Sequence, residues 1–171
     1  MTMKRLWKPW LYLVGIALLF NSCKKDPLPK PTQEGLNTFG CKINGKNYVP
    51  KGRSSLTVKI EPLTITYRTD KSLEIAAKSD DADIRFFLNR VDSKGDFVFS
   101  DPNLNNIGYY TDRTGVSDIR YLTSKTYTGE VTIEKLDTSK RIISGTFQFN
   151  AYSDQNQQTA SITDGRFDVT Y

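Results

Sequence analysis

Beyond residue 36, apolar residues recur at every second position along most of the chain, and no stretch sustains the three-and-four spacing of a helix. Successive side chains of a strand point to opposite sides, so this alternation predicts strands with one face turned to a core. Phe39, Cys41 and Ile43 form the first run, which stops at Asn44-Gly45. That pair tolerates positive φ at both positions and predicts a tight hairpin into a strand over residues 46–49. Leu56, Val58 and Ile60 continue the pattern, and Leu63, Ile65 and Tyr67 resume it after Pro62. Leu73, Ile75 and Ala77, then Ile84, Phe86 and Leu88, then Phe97 and Phe99 follow, separated by polar turns near residues 69–71, 80–81 and 92–95.

Residues 100–127 are less regular. Asp101-Pro102-Asn103, Asn105-Asn106 and residues 112–115 carry turn chemistry, residues 107–111 suit a strand, and the stretch as a whole reads as exposed and variable. Its tyrosines, Tyr109, Tyr110, Tyr121 and Tyr127, are candidates for stacking on sugar rings, although strand positions with a wet hydroxyl explain them too. Further on, Val131, Ile133 and Leu136 precede Ile143, Gly145, Phe147, Phe149 and Ala151, which share one face of a long strand. In the last run Ile162 is even while Phe167, Val169 and Tyr171 are odd. One extra residue must be absorbed between them, which predicts a bulge at Asp164-Gly165 with Gly165 left-handed. The fold class that follows is all-β, an antiparallel β-sandwich of roughly ten strands, with a closed or partly open barrel as the alternative.

The first 36 residues break with this pattern. Lys4, Arg5 and Lys8 precede an unbroken apolar run over residues 10–20, then Asn21-Ser22 and Cys23. As a helix the run spans roughly 16 Å, too short for a hydrocarbon core of ~30 Å, so it reads as an export signal rather than a permanent anchor. Ser22-Cys23 resembles the end of a bacterial lipoprotein signal, although Phe20 and Asn21 depart from its commonest form. The resemblance implies that Cys23 is acylated with diacylglycerol and becomes the mature terminus; the alternative is a soluble secreted protein cut near Ser22. Pro27, Pro29 and Pro31 then favour extended polyproline II, giving a spacer of up to about 45 Å. The expected organisation is a signal at residues 1–22, a Pro-rich tether at 23–36 and a β-sandwich domain at 37–171.

Removing the signal changes the composition. Three of the five net positive charges leave with Lys4, Arg5 and Lys8, and the remaining +2 does not support nucleic-acid binding. Both Trp and both Met also lie in the signal, and the chain has no His. His-based acid–base catalysis, His metal ligation and Ser-His or Cys-His nucleophiles are thereby excluded. With Cys23 acylated, Cys41 has no disulfide partner and reads as a small core residue. Asp80, Asp81 and Asp83 lack the ligand spacing of a calcium loop and read as a solvated turn. Asp164, Asp168, Glu130 and Glu134 are the carboxylates from which a glycosidase pair would be drawn. No catalytic residue, cofactor or metal site is expected.

Cys41-Lys42-Ile43-Asn44-Gly45-Lys46, Ser144-Gly145-Thr146-Phe147 and residues 163–169 (Thr-Asp-Gly-Arg-Phe-Asp-Val) together resemble a family of short, uncharacterised Bacteroidetes lipoproteins. The resemblance implies export, an all-β fold and an outer-membrane location in the cell envelope, periplasmic or surface-facing, and carries no activity. The expectation is a non-enzymatic structural or accessory protein, membrane-bound through Cys23, whose candidate partners are an envelope protein or a glycan; the alternative is a carbohydrate- or peptide-binding module on a lipid tether.

Overall fold

The computed structural model describes residues 27–54, 57–99 and 106–171. The signal, Cys23, Leu56 and the turn residues 101–105 lie outside the described residues. Among the described residues there is no helix; the strands are β1 (Thr38–Ile43), β2 (Lys46–Tyr48), β3 (Arg53–Ser54), β4 (Lys59–Ile60), β5 (Leu63–Tyr67), β6 (Leu73–Lys78), β7 (Ala82–Leu88), β8 (Gly95–Phe99), β9 (Ile107–Asp112), β10 (Ile119–Leu122), β11 (Gly129–Asp137), β12 (Ile142–Ser153) and β13 (Gln158–Thr170). All strand pairs are antiparallel.

Eleven strands form one sheet, along the path β2-β1-β13-β12-β10-β9-β7-β6-β5, with β11 and β8 branching from β12. The branch exists because β12 is long: residues 142–149 pair with β11, whereas Tyr152 pairs with Leu122 of β10. The sheet folds over, so that Phe86 of β7 meets Phe147 of β12 and Phe167 of β13, at ring separations of 5.4 and 5.6 Å. Its path ends at β2 and β5 and closes no barrel, consistent with an all-β sandwich. Ile75, Ile84, Leu88, Val131, Ile143 and Ile162 are fully buried between the layers or nearly so, as the alternation predicts.

Asn44 and Gly45 have φ of 48° and 77° and join β1 to β2 in the expected two-residue turn. The bulge in β13 is also present: Phe147 pairs with Gly165 and Phe149 with Ile162, so two residues of β13, Thr163 and Asp164, oppose Gln148 alone on β12. The same extra residue is absorbed against β1, between the pairs Gly40–Arg166 and Lys42–Thr163. The left-handed residue is Asp164, with φ of 52°, and not Gly165. Gly165 is required for space, since a Cβ there would lie 2.4 Å from the Phe147 carbonyl oxygen.

Two expectations need correction. Strands β9 and β10 are not exposed variable chain, although the loop between them is exposed: β9 lies between β7 and β10, and Tyr110 and Tyr121 are buried and stacked at 5.1 Å. The proline-rich stretch, from Pro27 on, is no free spacer either; it packs as a strap on the outer face of β13. Pro29 lies against Gly40, where a Cβ would come within 2.6 Å of it, and its carbonyl accepts from Arg166 Nη1 at 3.2 Å. Lys135 Nζ donates to the Gln33 carbonyl at 2.7 Å, and Asn37 Oδ1 accepts from the Thr170 N–H at 2.9 Å.

Candidate functional site

Asp168 holds the strap. Its carboxylate accepts from the Thr32 hydroxyl at 2.7 Å and from the N–H groups of Glu34, Gly35 and Leu36 at 3.0, 2.7 and 3.3 Å. As an outward residue of β13 it would be solvated, yet the strap buries it completely. Burial pushes its carboxyl up, but the Thr32 hydroxyl and the three N–H groups outweigh this and hold its pKa below the ordinary carboxylate value. Four donors on one carboxylate make a structural latch.

The other candidate carboxylates are engaged on the surface. Lys42 Nζ lies 2.7 Å from Asp164, and its hydrogen bond and charge lower the Asp164 pKa. Glu130 accepts from Gln148 at 3.0 Å and Glu134 from Gln33 at 3.4 Å. Glu130 and Asp164 do line one groove of about 420 Å³, from strands on either side of β12. A glycosidase acid needs a raised pKa, and Asp164 is moved the other way.

Asp83 is more than part of a turn. It accepts two bonds from Arg53 Nη2 at 2.6 and 2.5 Å and is bonded by Arg113 at 2.9 and 3.1 Å, tying the segment before β5 to the loop after β9. Among the described residues no group of three or more His, Cys, Asp or Glu is placed to hold a metal ion. Cys41 is fully buried, and burial pushes its thiol far up. It is the core residue that the alternation around it predicts.

A concave groove lies on the outer face of β9, β10 and β12, with a volume of about 590 Å³. Its floor comes from the pairing: Thr111 faces Arg120, and Leu122 faces Tyr152 across the next pair of strands. Tyr127 stacks on Tyr152 at 4.9 Å with the rings 7° from parallel. A short turn sets that position, with the Ser124 N–H donating to the Tyr127 carbonyl at 2.8 Å and the Tyr127 N–H to Ser124 Oγ at 3.2 Å. Gln155, in the loop from β12 to β13, accepts from the Arg120 N–H at 2.8 Å and builds the opposite wall with Asp154 and Asp118. Thr111 and Arg120 also line a second depression of about 190 Å³ that reaches Tyr109, Arg85 and Lys78, so the two adjoin.

Of the four tyrosines expected at a sugar platform, Tyr127 and Tyr109 face outward on this surface, while Tyr110 and Tyr121 are core residues. Tyr152 was missed. The signal for it was present, because Phe147, Phe149 and Ala151 point inward and an even-numbered neighbour must point out.

No curated protein and no solved structure matches the chain. One family, described as a domain of unknown function, matches residues 61–169, well over half of the chain and every strand from β5 to β13. By that match the chain belongs to the DUF6252 family.

Proposed function

We propose that this protein is an outer-membrane lipoprotein of the cell envelope, anchored through an acylated Cys23, whose β domain has a structural or accessory role and no catalysis of its own. The observation that carries the reading is the sequence of three basic residues, an eleven-residue apolar run and Ser22-Cys23 at its end. The chemistry of the side chains favours a non-enzymatic role: Asp168 is spent on the latch, Asp164 on Lys42, and Cys41 is closed in the core.

The test is mass spectrometry of the mature amino terminus together with fractionation of a Cys23→Ala variant. A terminus at Cys23 bearing acyl chains, and loss of the mature membrane-bound form in the variant, is the expected result. The variant is expected as a soluble or signal-retaining form, and an unmodified terminus elsewhere, or a variant processed to the same mature form as the wild type, overturns the reading.

A further inference from the structure

We infer that the groove over β9, β10 and β12 is a binding site for an uncharged oligosaccharide, with Tyr127 and Tyr152 as its stacking platform. The site does not depend on the lipid anchor.

The chemistry of the surface narrows the ligand. A groove of about 590 Å³ falls in the range of small-ligand sites, and it combines a flat aromatic surface with a few convergent polar groups. Tyr127 and Tyr152 are half-buried and line the groove; stacking covers one face of each ring, which leaves the pair an outer ring face, ring edges and hydroxyls to offer a ligand. Arg120, Asp118, Asp154 and Gln155 stand around that surface. Planar carboxylate, guanidinium and amide groups bond the paired hydroxyls of a sugar ring, while the ring's apolar C–H face rests on an aromatic one.

Other ligands fit less well. A peptide added as a strand needs an open sheet edge, and β9, β10 and β12 are each paired on both sides. A nucleic acid or another polyanion meets Asp118 and Asp154 in the main groove, where Arg120 is the one cation that lines it. In the adjoining depression Arg113 is committed to Asp83 and Asp118 and Arg85 is paired with Glu74, while Lys78 donates to the Thr64 hydroxyl. The site is also extended. Tyr152, Leu122, Tyr109 and Arg85 lie in successive register across β12, β10, β9 and β7, a span of about 14 Å at the usual strand spacing. That row accommodates several linked rings rather than one.

The experiment is a glycan array probed with the full-length protein in detergent, followed by calorimetric titration of the best hit into three variants. The expected result is binding of a neutral oligosaccharide. Tyr152→Ala and Arg120→Ala should each weaken it at least tenfold, while Tyr152→Phe, which keeps the ring, should stay within about threefold. The melting temperature of each variant separates lost binding from lost folding, and Tyr152→Phe keeps the test decisive if Tyr152→Ala fails to fold. A blank array, a preference for polyanionic glycans or peptides, or affinity unchanged in both Tyr152→Ala and Arg120→Ala overturns the inference.

Discussion

Asp168 is the residue whose role is furthest from its sequence context. An Asp between Phe167 and Val169 reads as an outward, solvated strand position, and nothing within ten residues says otherwise. Its donors come from residues 32–36, more than a hundred and thirty positions earlier, and no local pattern reports a contact at that separation. Asp168→Asn should cost about 3 kcal/mol, because one acceptor oxygen becomes an NH₂ facing backbone donors. Urea denaturation measures that loss, and faster proteolysis within residues 27–36 locates it. The pH dependence has a definite sign. The folded pKa lies below the unfolded one, so the latch contributes fully above about pH 4 and is lost as pH falls through the folded value. Stability of the wild type should therefore fall in acid with a component that Asp168→Asn lacks.

Among the elements, β13 separates what alternation can and cannot reveal. The change from even to odd inward positions between Ile162 and Phe167 located the bulge, because parity is a property of the sequence alone. The two bulge residues have separate roles: Gly165 sits against Phe147 and has no room for a side chain, while Asp164 takes the positive φ, which Asp tolerates better than most. Gly165→Ala is accordingly expected to destabilise by about 2–3 kcal/mol through overpacking against backbone, whereas Asp164→Asn should stay within about 0.5 kcal/mol. Thermal melts of the two variants distinguish the roles. β10 was not legible for a different reason: four residues, Ile119 to Leu122, carry too few periods to stand out between polar loops. The groove built on β10 shared that fate, and of its tyrosines Tyr127 stood out in the sequence while Tyr152 did not.

For the whole molecule, composition and alternation sufficed for an all-β chain, but sandwich and barrel have the same period, and closure depends on how far the sheet bends. Phe86 shows where the bend is held. Its ring lies 5.4 Å from Phe147, 5.6 Å from Phe167 and 6.2 Å from Phe99, joining β7 to β12, β13 and β8. Phe86→Ala should cost about 3–5 kcal/mol, a large share of the ~5–15 kcal/mol typical of a domain, and should show as a lowered denaturation midpoint. The strap has its own consequence at this scale. On the proposal that Cys23 is acylated, and with the chain held from Leu28, the leash would be five residue steps, at most about 18 Å long, where a free segment in polyproline II would reach about 45 Å. An acylated Cys23 would then moor the domain close to the bilayer surface, and protonation of Asp168 would release residues 32–36 and lengthen the leash.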